Sequence, residues 1–418
     1  MPTRLPAVFR SFRHHNYRLW YSGAIISNTG TWMQRTAQDW LVLTELTDHS
    51  ASAVGLTMAC QFGPQLLLFP VTGLVADMFD RRKLMIATQS FMGAISLLLG
   101  FLVVTDLVAL WHVFVLAFLF GCAAAFDAPA RQTFVSEMVP DEDISNAIGL
   151  NSTSFNGARM IGPAVAGLVI AAFDTGPAFL INGFSFGAVL ISLLCMRTSE
   201  LQVSDRAAKS RNGITDGFRY AFERQDLRVM LIMLFLIGTF GMNFPIFIST
   251  MGVKLFHTDA QGYGLLNTFS AIGTLTGALM AAGRQAPKFN TLLVGTTMFG
   301  FGCLAASLTP GYWWFAIALA FVGLSAMTFL NTSNALMLLS TTPQMRGRVM
   351  ALRFAITMGG TPIGAPIVGW VSDTYGPRWG MSVGALAGFA AAVVALLFLM
   401  KNGSKRSAQN MQQESQQQ

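Results

Sequence analysis

The stretch GLVADMFDRRK, residues Gly73 to Lys83, ends a long apolar segment in two acids and three consecutive cations, and a second apolar segment follows at once. As helices, residues 53–76 before it and 84–105 after it are each long enough to cross a hydrocarbon layer of roughly 30 Å at ~1.5 Å per residue. The stretch therefore reads as a tight turn between two membrane-spanning helices, with its cations, Arg81, Arg82 and Lys83, on the cytoplasmic side. Gly73 lets another helix approach closely, and Asp77, four residues on, is placed to face the positive N-terminus of a neighbouring helix.

Composition supports that reading. With 53% hydrophobic and only 11% charged residues among 418, the chain lacks the charge that a water-facing surface of this size would carry. It reads as an all-α membrane protein. The net charge of +7 does not point to nucleic acid, because the cations lie in alternate loops and not on one face beside stacking aromatics. No nucleic-acid partner is expected; the surrounding partner is the lipid bilayer.

Taken in order, the apolar runs predict twelve membrane helices near 18–45, 53–76, 84–105, 110–134, 144–172, 177–197, 227–253, 261–283, 290–308, 312–341, 348–371 and 378–400. With cations near the span ends counted to the adjoining side, 23 of the 27 Lys and Arg lie on one side and two, Lys254 and Arg378, on the other. The remaining two, Arg35 and Arg159, fall inside spans. By the positive-inside rule both termini are cytoplasmic. The first residues, 1–17, form a cytoplasmic leader, since no small-residue cleavage site follows a short apolar core.

The widest polar stretch, 198–226, divides the spans into an N-terminal six-helix bundle over 18–197 and a C-terminal one over 227–400. The halves echo each other at an offset of about 202 residues: Gly162-Pro163-Ala-Val-Ala-Gly167 aligns with Gly364-Ala-Pro366-Ile-Val-Gly369. The tail, 401–418, is Gln-rich without apolar periodicity and is expected to be disordered. Cys60, Cys122, Cys195 and Cys303 lie in spans without paired spacing or nearby His, so they read as packing residues and no metal is expected. The absence of a GxxxxGK motif excludes a nucleotide-driven pump, and no cofactor or enzymatic constellation is apparent.

Charges inside the membrane are expensive, so they are the leading candidates for function. Arg35 and Asp39 are spaced i, i+4 on helix 1, flanked by Gln34 and Gln38, and Arg159 on helix 5 enters to a similar depth, so the three can meet. They read either as a packing cluster or as a site in which Asp39 exchanges a proton or an Arg holds an anion. Asp127 and Arg131 form a second i, i+4 pair, with Pro129 between them, near the cytoplasmic end of helix 4. With Gly73, Asp77, Arg81, Arg82 and Glu137 this region reads as an inner ion-pair gate, Asp127 being the alternative proton carrier. In the second half, Asn243, Asn267, Asn331 and Asn334 are candidates to line a cavity for a bulky, partly apolar solute; taken singly, each of these asparagines reads more readily as a packing residue.

The register of Gly73, Leu74, Ala76, Asp77, Arg81 and Arg82 resembles the loop signature of the major facilitator superfamily between helices 2 and 3, with Met78 and Asp80 departing from it. NGARMIGPAVAG, with Gly157, Gly162, Pro163 and Gly167, resembles the Gly-Pro-rich helix 5 motif of that superfamily's drug/proton antiporters, in which small residues allow close packing and Pro bends the helix; Ala166 replaces one Gly. HNYRLWYSGAIISNTGTWMQRTAQDWLV and FDAPARQTFVSEMVPDEDISNAIGLNSTSFNGARMIGPAVAG together look like the enterobactin-exporter-like branch, the transmembrane secretion effectors. That resemblance implies proton-driven export of siderophores, drugs or other small amphipathic compounds by a protein of the bacterial cell membrane. The protein is expected to act as a monomer with a small-molecule substrate and protons as partners. A lysophospholipid flippase of the same fold and proton-coupled uptake are the alternatives.

Overall fold

The computed structural model describes residues 7–202, 213–282, 287–342 and 344–416. It is helical throughout. The membrane passages are α1 (His15–Trp40), α2 (Ala51–Met78), α3 (Arg81–Val104), α4 (Leu110–Glu137), α5 (Asp141–Phe173), α6 (Gly176–Leu194), α7 (Gln225–Leu255), α8 (Ala260–Ala282), α9 (Phe289–Ser307), α10 (Tyr312–Ser340), α11 (Arg346–Tyr375) and α12 (Pro377–Gln416). Among the described residues ten of these are long and apolar enough to cross a membrane, α3 to α12. The passage α1 is as long, but Asn16, Arg18, Asn28, Gln34, Arg35, Gln38 and Asp39 make it polar. Outward-facing Leu67, Leu168, Phe184 and Phe301 are all more than half exposed, an apolar surface suited to lipid and not to water.

Local signals set the ends. Asp80, the second acid of the opening stretch, is the N-cap of α3 and accepts from the Lys83 N–H at 2.9 Å. Ser50 caps α2 in the same way, accepting from the Ala53 N–H at 3.2 Å. Asp141, Glu142 and Asp143 fill the first turn of α5, where the helix dipole favours negative charge. Pro163 sits inside an unbroken α5. In contrast, α7 loses its regular ladder in two π segments, Ile237–Gly241 and Thr250–Leu255, with an interruption at Met242 and Asn243. A π segment, Leu41–Glu45, likewise ends α1.

Additional elements lie at the end of the molecule that holds the N-terminal arm and the α6–α7 connection, called here the near end. A 3-10 segment, Ala7–Arg13, is clasped to the start of α5 by Arg10, Arg13 and His14, all paired with Asp143. A helix, Gly213–Glu223, occupies part of the stretch read as a linker. Helix α12 continues to Gln416, through residues where the sequence suggested no order. Five connections at the opposite, far end each turn through one residue of positive φ: His49, Asp106, Asp174, His257 and Gly376.

The two bundles repeat each other in contact as well as in sequence. A Cβ at Gly162 of α5 would lie 2.6 Å from the Trp32 Cβ of α1, and one at the aligned Gly364 of α11 would collide with the Thr239 carbonyl oxygen of α7. Gly167 brings α5 against α8, where a Cβ would stand 2.8 Å from the Ala260 oxygen, and the aligned Gly369 brings α11 against α2, where a Cβ would stand 2.5 Å from the Ala51 oxygen. The chain is thus two pseudo-symmetric six-helix bundles, α1–α6 and α7–α12, joined across α2–α11 and α5–α8.

The apolar core shows where they join. One cluster runs through both bundles and includes Leu41, Val54 and Ile170 of the first with Tyr263, Phe247 and Ala365 of the second. A separate cluster around Tyr17, Trp20, Met85 and Phe134 belongs to the first bundle alone and lies towards the near end. Among the described residues the bundles share one apolar core at the far end, and at the near end the first bundle has a core of its own.

Candidate functional site

At the far end the seal has a polar centre on Asp373, near the end of α11. Its carboxylate accepts from the backbone N–H of Ala51 and of Ser52, each at 2.8 Å, and from the Ser50 hydroxyl at 3.1 Å, all at the first turn of α2. Lys254 Nζ lies 2.7 Å from the same group. Asp373 therefore supplies, from the other bundle, the negative charge that a helix N-terminus favours. Beside it Gly55 of α2 meets the Ala365 carbonyl, to which a Cβ would approach within 2.4 Å, and Trp40 packs on Tyr263 with ring centroids 5.8 Å apart. Lys254 counts, in the sequence, as no more than a cation on the sparsely charged side.

Beneath this seal lie the charges of α1 and α5. Arg35 turns back to its i−3 neighbour: its Cζ sits 4.7 Å from the Trp32 ring centroid and 5.3 Å from that of Phe62. Arg159 stacks on the same indole at 5.4 Å, held there because Gly162, one turn on, lets α5 press against Trp32. So Arg35 and Arg159 do come together, on Trp32. Asp39 stays one turn away; it is buried, acts on Arg35 through space, and has no hydrogen bond or contact ion pair among the described residues. Its neighbour Gln34 serves packing, accepting from Asn182 Nδ2 at 2.6 Å, and Gln38 is buried.

Asp127 is held very differently. One oxygen accepts from Thr88 Oγ1 at 3.0 Å and Gln89 Nε2 at 2.8 Å, and the other from Arg131 Nε at 3.0 Å. Arg131 also donates to Asn28 Oδ1 at 3.1 Å and lies over Trp20, and Asn28 Nδ2 reaches Ser154 at 3.4 Å. The network ties α1, α3, α4 and α5 into one unit. Thr88, Gln89 and Asn28 do not stand out in the sequence, because neutral polar residues in a span carry no charge signal.

The remaining near-end residues separate into two groups. Arg81 pairs with Glu137, and Arg82 donates to the Leu193 and Leu194 carbonyls at 2.6 and 3.3 Å, covering the C-terminus of α6. All these contacts lie within the first bundle, and Arg131 faces Asp127 instead of them. Gly73 and Asp77 fall in α2, but their side-chain surroundings lie outside the described residues.

In the second bundle, Asn331 and Asn334 line a cavity of about 300 Å³ together with Ala278, Ala281, Pro287 and Thr332. Asn267 donates to the Tyr263 carbonyl of its own helix at 3.0 Å. Asn243 is fully enclosed at the break in α7; its Nδ2 donates to the Thr239 carbonyl at 2.7 Å and its Oδ1 is enclosed without a partner. Arg353 is half-buried on α11; Nη2 donates to the Leu330 carbonyl at 3.0 Å and Nε is enclosed without a partner. A larger hollow, about 450 Å³, lies on the apolar α9–α10 face around Trp314 and Phe321, away from every charged group described above. On helix 5, Gly157 faces open space.

Comparison with known proteins extends these observations. The family model described as transmembrane secretion effector matches residues 7–418. The chain is 22% identical over 364 residues to a staphyloferrin A transporter of Staphylococcus aureus, covering 86% of this chain and 90% of that protein. It is 23% identical to macrolide efflux protein A of Streptococcus pyogenes, over 88% of this chain and 92% of that one, and 24% identical to the multidrug efflux pump Tap of Mycobacterium bovis, over 84% and 86%. Among solved structures, a POT family transporter superposes with a TM-score of 0.74 at 12% identity, covering 93% of this chain and 96% of that one. A bacterial homologue of the human lysosomal transporter Spinster, described as inward-facing and unoccupied, superposes with a TM-score of 0.65 at 15% identity, over 92% and 95%.

Proposed function

Because this chain belongs to the transmembrane secretion effectors of the major facilitator superfamily, we propose that it is a secondary transporter that exports a small amphipathic compound in exchange for protons by alternating access. The observation that carries the reading is the contrast between the ends: the bundles are sealed around Asp373 at the far end, while at the near end the first bundle keeps an apolar core of its own, with unneutralised charges of α1 and α5 between. The relatives named as a macrolide efflux protein and a multidrug efflux pump support the direction. With the cation-rich near end on the cytoplasmic side of a bacterial cell membrane, this is the inward-open state. The path runs inside one chain, so a monomer suffices.

Asp39 is the proton carrier in this reading. Asp127 has three donors, one of them Arg131, that hold its charge in place, whereas Asp39 is buried without any. Protonation of Asp39 favours the inward-open state and its release accompanies substrate entry. A proton entering down ~150 mV supplies about 3.5 kcal/mol, enough for a roughly few-hundredfold substrate gradient. The Gly73–Arg82 stretch closes the near end in the opposite state, Asp77 meeting the start of α11.

The test is accumulation of amphipathic dyes in cells with and without the protein, before and after collapse of the proton gradient. Lower accumulation that an uncoupler abolishes is expected, and Asp39→Asn should lose the pH dependence with about a hundredfold drop in driven export. Lipid translocation that ignores the gradient would replace export by flipping, and gradient-driven efflux through Asp39→Asn would remove that acid as carrier.

A further inference from the structure

Resting on the export reading, we propose that the exported compound is an organic acid whose carboxylate is held between Arg35 and Arg159 beside Trp32. The charges within the bundles do not balance. Arg131 is matched by Asp127, but Arg35 and Arg159 have no hydrogen bond or ion pair among the described residues, and the only unmatched acid nearby is Asp39. Arg353 adds a third cation with an enclosed, unpartnered Nε. A guanidinium keeps its charge at any working pH, so this excess cannot be removed by losing a proton.

The arrangement is also unfavourable without a ligand. Two cations share one indole, 4.7 and 5.4 Å from its centroid, and repel each other. Arg35 Nε is enclosed and unused, a loss that one accepting oxygen would relieve. A carboxylate offers two oxygens to two forked donors, which is the match guanidinium geometry favours. A cationic solute would instead meet two like charges, and a neutral one would leave donors unsatisfied. An apolar flank is present: Phe62 lies 5.3 Å from the Arg35 Cζ, and Phe155 packs edge-on against Trp32 with ring centroids 5.7 Å apart.

The experiment uses the full chain, purified in lipid nanodiscs, and three radiolabelled probes with one body: 1-naphthaleneacetate, 1-naphthaleneacetamide and 1-naphthylmethylamine. The carboxylate should bind about tenfold or more tighter than the amide, with the amine weakest. Arg35→Gln and Arg159→Gln should each erase that preference without weakening the amide. Arg35→Lys and Arg159→Lys keep the charge and lose the fork, and should lose the preference in part, roughly threefold; they carry the test if a Gln variant does not fold. Equal or tighter binding of the amide or amine, or binding of none of the three, overturns the assignment. The two readings fail separately: gradient-driven export of dyes without charge preference in binding removes the carboxylate and leaves export, whereas no export of any charge form removes export itself.

Discussion

Two ten-residue stretches at opposite ends of the molecule repeat one pattern: GLVADMFDRR, from Gly73, and GWVSDTYGPR, from Gly369. Both keep Gly, Val and Asp in register, an aromatic two residues after the Asp, and an Arg nine residues after the Gly. The two arginines do the same thing. Arg82 opens α3 and holds the last carbonyls of α6, and Arg378 opens α12 and donates to the Ser307 and Thr309 carbonyls at 3.2 and 3.1 Å, past the end of α9. The acids mark the difference. Asp373 bonds across to α2 of the other bundle, whereas the described ion pair of the near-end stretch, Arg81 with Glu137, stays within its own bundle. One sequence pattern thus stands at each end in opposite orientation, and among the described residues it is engaged across the bundles at the far end.

If close backbone contact sets the far-end closure, filling it should have the largest effect. A Cβ at Gly55 would stand 2.4 Å from the Ala365 carbonyl, a backbone atom that cannot turn aside. Gly55→Val is expected to shift the population away from far-end closure by roughly tenfold to a hundredfold, as overpacking of this kind costs about 1–3 kcal/mol. The check is a distance distribution between spin labels at Ser52 and Thr374. An unchanged short distance would mean that α2 and α11 adapt by sliding and that the glycines do not set the closure.

The charge on Asp373 should matter next. Asp373→Asn keeps the shape but weakens three hydrogen bonds and the Lys254 pair, so far-end closure should lose about 1.5–2 kcal/mol, roughly tenfold to thirtyfold in population. The same pair of labels reports it as a growing long-distance component. Were the distance to stay short while Gly55→Val lengthens it, packing alone would hold this end.

Much of the architecture is legible in the sequence because it depends on length and periodicity: all twelve passages begin and end within a few residues of the expected places, apart from the extension of α12 to Gln416. The intramembrane charges Arg35 and Arg159 are legible too, since an arginine in a span announces its cost. What the sequence hides is rotamer and partner. The i, i+4 spacing of Arg35 and Asp39 suggests a pair, but the long arginine turns back to Trp32 and Phe62, where two aromatic faces stabilise its charge. The role of Asp373 is hidden for another reason: it sits near a chain turn on the side with few cations, and only the fold brings the start of α2, more than three hundred residues away, beneath it. Its one sequence signal is the repeat of the Gly73 stretch, which is visible once an inverted copy is sought.

The near-end copy gives the smallest expected change at the far end and the sharpest test of the comparison. Asp77→Asn removes the charge that would meet α11 in the outward-open state, a state not populated while the far end is sealed. The Ser52–Thr374 distance should therefore stay as in the unaltered protein, and inside-open binding of substrate should remain within about twofold, whereas export falls roughly tenfold or more because the near end no longer closes firmly. A variant that exports at full rate would end the idea that the two stretches are counterparts. One that lengthens the far-end distance would show that Asp77 acts on the whole molecule in both states, and the two ends would then be coupled by something other than alternate capping of α2 and α11.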